Sequence, residues 1–292
     1  MKNIRFRVRL CTFGAVATLA VIAMLVPRVS IAGDKLKPEE IVARHLESIG
    51  TAEARAGVHS RIVGGKVVVA FNSPGTQQFT GQAVMASEGN KNLISMNFDS
   101  TNYAQENIGF DGESVSVGYA RAGVRTNLGD LLWTYKPIVK SGLIGGTLSQ
   151  SWPLLNEAGK NYKLEGSGTK KIEGRPAYEV RFIPRGGSDM EIRLYFDAET
   201  FQHVRTEYMH TIIAQLGGNV DSSAHQRTTR YKMTEDFSGF QKEGTLTLPH
   251  SYKISMELDA TIPFRAKWNL ALEQFAFNET IPPQMFKMTA KP

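Results

Sequence analysis

Apolar and polar residues alternate with a period of two over most of the chain, the signature of strands that bury one face. The clearest case is Glu191–Met209. Ile192, Leu194 and Phe196 alternate with Arg193 and Tyr195, Asp197-Ala198-Glu199-Thr200 forms a polar turn, and Phe201–Tyr208 returns. Upstream, Phe79–Ser87, Ile94-Met96-Phe98, Tyr103–Phe110 and Val115-Val117-Tyr119 read as strands, with Asp111-Gly112 as a hairpin turn. Val67–Phe71 is continuously apolar, which predicts a strand buried on both faces. Downstream come Tyr162–Thr169, Ala177–Ile183, and the run in which Tyr252, Ile254, Met256 and Leu258 alternate with Lys253, Ser255 and Glu257. His225–Asp236 is mostly polar and reads as an edge or solvent-facing strand, and Leu216–Ser223 as a flexible tip. Trp268, Leu270 and Leu272 share a phase that Phe275 and Phe277 break, which predicts a bulge. Ile281 and Phe286 should pack on the sheet.

Two stretches follow a different period. Pro38–Ile49 predicts a helix with Val42, Leu46 and Ile49 on one stripe beside Ile41; Pro38 suits its first position and Gly50 ends it. Thr51 caps a second short helix ending near Gly57. Leu128–Asn156 holds Leu131, Leu132, Trp133, Tyr135, Ile138, Val139, Leu143, Ile144, Leu148, Trp152, Leu154 and Leu155. Pro137, Gly142, Gly145, Gly146 and Pro153 cut it into short helical pieces.

About a dozen closely spaced strands must pair mostly antiparallel, and a sheet of that size curls, splits or closes. The expectation is a mainly β, α+β chain. Its strongly curved antiparallel sheet forms an open, incomplete barrel with an N-terminal helix and a helical lid or plug. A two-sheet sandwich is the alternative.

The N-terminus changes the charge picture. Met1–Arg9 is basic, Leu10–Val26 apolar, and Ser30-Ile31-Ala32 offers small residues for cleavage after Ala32. Residues 1–32 therefore read as a secretory signal peptide and 33–292 as a single domain, with an uncleaved anchor helix as the alternative. That leader carries five of the 34 basic residues and no acidic one, leaving 29 basic against 28 acidic residues, net +1. The formal charge of +6 for the whole chain is therefore no argument for nucleic-acid binding. Cys11, the only cysteine, leaves with the leader, so the mature chain has no disulfide, thiol nucleophile or cysteine ligand.

Catalytic patterns are poor. Gly186-Gly187-Ser188-Asp189-Met190 begins like a nucleophile elbow, but Met190 stands where the second glycine belongs and a hairpin is the wrong context. His203 and His210, an odd number apart, would face opposite sides of a strand, and the other histidines are scattered. The expectation is no enzyme, no catalytic residue, no metal and no cofactor.

Three stretches, RLYFDAETFQHVRTEY, GTLTLPHSYKISMEL and WNLALEQFAFNETIPPQMFKM, resemble the periplasmic lipoprotein-carrier superfamily of the lipoprotein-sorting carrier and its outer-membrane receptor (LolA/LolB-like). The opening EEIVARHLESIGTAEARAGVHSRIVGG is similar to bacterial outer-membrane lipoprotein-sorting proteins. The resemblance implies an open β-barrel with a helical lid over an apolar cavity that shields acyl chains. It does not select between Arg193 and Arg205 for the carriers' functional arginine, and Leu128–Asn156 looks like an enlarged insert. The expected cavity and lid residues are Leu131, Leu132, Trp133, Leu143, Ile144, Trp152, Leu154 and Leu155, with Ile192, Leu194 and Phe196 on the sheet. Either the insert is a plug that yields to lipid, with its glycines as hinges, or it is permanent core. The implied function is periplasmic binding and transport of a lipid or acylated lipoprotein towards the outer membrane by a monomer, with an inner- or outer-membrane protein partner. A ligand-sensing envelope adaptor on the same fold is the alternative.

Overall fold

The computed structural model of this 292-residue chain describes residues 36–72, 75–155, 159–213 and 228–287. The signal-peptide reading of 1–32 and the tip at Leu216–Ser223 lie outside them. The N-terminal helix forms as expected. In α1 (Pro38–Ile49) Ile41, Val42, Leu46 and Ile49 are buried, and His45 is buried with them. In α2 (Ala52–Ala56) the Thr51 side chain accepts a hydrogen bond from the Ala54 N–H at 3.2 Å.

Twelve strands follow: β1 (Ser60–Asn72), β2 (Thr76–Glu88), β3 (Lys91–Phe98), β4 (Gln105–Phe110), β5 (Val115–Val117), β6 (Tyr162–Ile172), β7 (Arg175–Pro184), β8 (Glu191–Asp197), β9 (His203–Ile212), β10 (Thr229–Glu243), β11 (Leu246–Asp259) and β12 (Phe264–Phe277). They make one antiparallel sheet in the order β5-β4-β3-β2-β1-β12-β11-β10-β9-β8-β7-β6. Sequence neighbours pair in every case but β5 and β6, and the one non-sequential pair, β1 with β12, joins the two meanders in the middle. The sheet does not close, because β5 and β6 remain its two edges.

That topology explains the helical interruption. The segment between β5 and β6 must travel from one edge of the sheet to the other. It does so in short pieces: α3 (Asn127–Thr134), α4 (Lys136–Lys140) and single 3-10 turns at Gly146–Leu148 and Pro153–Leu155. Its apolar side chains belong to the same cluster as the inner-face residues of the sheet, among them Val67, Met96, Leu194, Phe237, Ile254 and Trp268. The outer face holds only small satellite clusters. One is Ala86 and Leu93 beneath Ile281 and Phe286, which places the C-terminal tail on the sheet as expected.

The structure corrects two expectations. Val67–Phe71 is not buried on both faces: Val67 and Val69 point inward while Val68 and Ala70 are partly exposed, because the sheet is a single layer. The strand read from His225–Asp236 is no edge. Its described part lies in β10, between β9 and β11, with Met233, Glu235 and Phe237 buried. The bulge near Phe275 is present. Pairing slips from Gly64 with Gln274 to Gly65 with Leu272, leaving Glu273 unopposed. A Cβ on Gly65 would lie 2.0 Å from the Ala271 carbonyl oxygen, so the bulge needs glycine there.

Candidate ligand-binding site beneath the insert

The insert starts where the Thr126 side chain caps α3, accepting from the Gly129 N–H at 2.9 Å. Leu128, Leu131 and Leu132 then face the sheet, and Ile138 and Val139 of α4 do the same. Leu143 and Ile144 follow, then Leu148, Trp152 and Leu154, all buried. Gly142 has a left-handed backbone (φ +73°), and a Cβ on it would meet the Ser151 carbonyl oxygen at 1.9 Å. At Gly145 and Gly146 a Cβ would lie 2.6 Å from Met85 and 2.8 Å from Phe237. These glycines let the strap lie close on the sheet.

Polar side chains projecting from the inner face tie the insert down, several of them through its backbone. Asn92 of β3 donates to the Val139 carbonyl at 3.4 Å and to the Ser151 hydroxyl at 3.3 Å. The Ser87 hydroxyl of β2 accepts from the Gln150 N–H at 2.8 Å. Arg61 of β1, fully buried, donates to the Thr147 carbonyl and, at 3.1 Å, to the Gln150 side-chain oxygen. Glu235 of β10 accepts from the Gly145 N–H at 2.7 Å, from the Tyr208 hydroxyl at 2.6 Å and from the Tyr252 hydroxyl. His45 of α1 donates from Nδ1 to the Phe201 carbonyl at 3.1 Å, which leaves Nε2 to accept from the Trp152 indole at 3.4 Å. Trp152 also stacks on His203, ring centroids 4.7 Å apart.

Burial sets the protonation of these groups. It pushes Glu235 up from 4.5 to about 7 against the pull of its three donors, and it pushes Glu106 to about 7 beneath Tyr103 and Thr126. Burial holds His45 down at about 3 and His203 well below its usual value, so both imidazoles are neutral. Arg61 falls to about 10 and stays cationic. Among the described residues no group of three or more His, Cys, Asp and Glu side chains converges as a metal site would.

Of the residues expected to line the cavity, Leu131, Leu132, Leu143, Ile144, Trp152 and Leu154 are buried in the insert, and Leu155 is half-buried. Ile192, Leu194 and Phe196 are fully buried on the inner face of β8. Trp133 stands apart: it is 36% exposed, with the Arg125 and Lys136 cations over its ring. Arg193 and Arg205 do not reach the insert; they pair with Glu191 and Asp236. The arginine that holds the insert is Arg61, which sequence reasoning missed although it shares the phase of Val63.

The hollow is filled in this conformation. Between Ile144, Leu148 and the β2–β3 side chains about 10 Å³ remains. Beside the end of the insert a cleft of about 560 Å³ opens between α2 and β6, lined by Arg55, Lys140, Trp152, Pro153, Leu155 and Tyr162. Between Leu128, Leu132 and Ile144 of the insert and Met233, Tyr252 and Ile254 of the sheet no room for a water-sized sphere remains.

The fold is thus an open, curled antiparallel sheet whose inner face is covered by a helical lid. Solved structures with which it compares include a LolA superfamily protein from Nitrosomonas europaea, 14% identical, covering 87% of this chain and 98% of that one, TM-score 0.47. They also include a putative outer membrane lipoprotein-sorting protein domain from Vibrio parahaemolyticus, 10% identical over 84% of this chain and 97% of that one, TM-score 0.42. A DUF1329 family protein from Desulfovibrio piger is 8% identical over 87% of this chain and 98% of that one, TM-score 0.38. No family model matches the chain, and no curated protein matches it in sequence.

Proposed function

We propose that this chain is a periplasmic carrier of hydrophobic ligands, lipid or lipoprotein acyl chains, which it takes up by lifting the insert and moves towards the outer membrane without a chemical step. The observation that carries the reading is how the inner face is covered. The apolar inner face is covered by α1 and by one strap, which a few polar side chains tie down, rather than by a second sheet. An acyl chain gains about 0.8 kcal/mol per methylene removed from water, so ten methylenes gain about 8 kcal/mol. A partial lift that bares three or four of the strap's ten buried apolar side chains costs about 1.5–3 kcal/mol each. The two are of similar size, which makes the exchange of strap for ligand reversible, as loading and release require.

The test is lipid identification by native mass spectrometry of the purified mature chain, followed by transfer of the bound molecule between donor and acceptor membranes. Bound acyl species that move at a rate set by protein concentration support the carrier. Stable capture of one envelope protein with no transfer supports the ligand-sensing adaptor instead. A chain that emerges free of lipid, takes up none from vesicles and captures no partner contradicts both.

A further inference from the structure

The outward face of the insert differs from the rest of the chain in charge. Over Arg121–Lys140 there are four basic residues, Arg121, Arg125, Lys136 and Lys140, and one acidic residue, Asp130, a net of +3. The whole segment from 33 to 292 has a net of +1. Trp133 lies among these cations, its ring centre 3.5 Å from Lys136 Nζ and 4.3 Å from the Arg125 guanidinium carbon. Arg125 also donates to the Tyr119 hydroxyl at 3.3 Å and sits over that ring at 4.6 Å. Val124 is 44% exposed beside them. Tyr135, two residues on from Trp133, packs on His210 at 5.2 Å between ring centroids, and two residues further along that strand Ile212 is 48% exposed.

A tryptophan and tyrosines with exposed aliphatic groups, set among lysines and arginines, suit one environment. The headgroup layer of a bilayer accepts amphipathic rings, while its anionic lipids attract the cations. An exposed cation–π pair is a weak contact, too weak to explain leaving about a third of this residue's surface in water. We infer that the outward face of α3–α4, from Arg121 to Lys140, is a docking surface for an anionic lipid bilayer. This goes beyond the carrier reading, because it names the surface that meets the membrane, and that surface belongs to the lid itself. Contact with the headgroup layer would then bear on the element that must lift for cargo to pass.

The experiment uses the mature chain with vesicles of phosphatidylcholine alone or mixed with phosphatidylglycerol, brominated on the acyl chains. Trp152 and Trp268 are fully buried, so quenching at the surface reports Trp133. The expected result is salt-sensitive sedimentation with the anionic vesicles only, and fluorescence quenching that is reduced in Trp133→Phe. The double variant Arg121→Gln, Lys136→Gln keeps the fold's buried ties and should bind about 25-fold more weakly, since each surface cation contributes about a factor of five. Equal binding to both vesicle types, or none to either, overturns the proposal. Quenching that is undiminished in Trp133→Phe also overturns it: all bromolipid contact would then be with Trp152 beneath a lifted insert, a result that supports the carrier while removing the docking face.

Discussion

Replacing Glu235 by glutamine isolates the most consequential tie between sheet and insert. In the folded chain the carboxyl is fully buried and its pKa rises from 4.5 to about 7 because the interior disfavours its charge. The groups facing it are Tyr208, Tyr252 and the Gly145 N–H, with Asp236 next along the strand raising it further. A carboxyl with a raised folded-state pKa binds more protons folded than unfolded between those two values. Its contribution is therefore complete below pH 4.5 and is lost as pH rises to about 7. At about 1.4 kcal/mol per pH unit the interval amounts to about 3 kcal/mol. Glutamine has nearly the same shape. Its carbonyl can accept from Tyr252 and Gly145, and its amide can donate to the Tyr208 oxygen. The expected outcome is Glu235→Gln close to wild type in stability near pH 4.5, within about 1 kcal/mol, and about 2–3 kcal/mol more stable at pH 8. Urea unfolding of both proteins across pH 4–9 measures the difference directly. Glu106, raised by burial in the same way, titrates in both proteins and drops out of the comparison. A difference that stays flat with pH would refute the assignment of Glu235 as a buried, largely protonated acid.

Other expectations follow from the same contacts. Trp152→Ala removes a fully buried indole wedged between His45 and His203, and should cost about 3–5 kcal/mol by denaturant unfolding. Arg61→Met keeps the stem and removes the donors to Thr147 and Gln150; amide exchange from Leu143 to Ser151 should quicken, while strands such as β11 keep their protection. Gly142→Ala puts a methyl into the Ser151 carbonyl at a left-handed position, and thermal denaturation should show a loss of at least about 1–3 kcal/mol. His45, held down to about 3 by burial, contributes stability that is present above pH 6.5 and lost as pH falls towards 3; in His45→Asn the acid limb of the stability curve should be shallower.

How much of this was legible in the sequence depended on whether one residue type kept its usual role. Period-two alternation in Ile192-Leu194-Phe196 or Trp268-Leu270-Leu272 names the inner face without ambiguity, because each inward position is large and apolar. The apolar strap between Tyr119 and Tyr162 was equally plain. Strand β10 was misread because Glu235 occupies an inward position between Met233 and Phe237, so a core stripe looked like a polar edge. Arg61 failed in the same way, sharing the phase of Val63. Both are charged residues whose partners, backbone groups and side chains alike, lie far along the chain, and local pattern holds no record of such partners. The glycines, hinges if the insert moves, also allow close approach to Ser151, Met85 and Phe237, which composition does not reveal. Trp133 looked like any other apolar residue of the strap until the turn of α3 set it on the outside.

The central claim is that the insert must leave the inner face for ligand to enter. Asn92 and Ser151 touch across the boundary at 3.3 Å between side chains, and the described residues contain no cysteine to interfere. With cysteines at both positions, oxidation should fasten the insert to β3 and abolish uptake of a fluorescent acyl probe. Reduction should restore uptake to the level of the unmodified chain. Undiminished uptake by the oxidised form, with the disulfide verified by mass spectrometry, would contradict the claim.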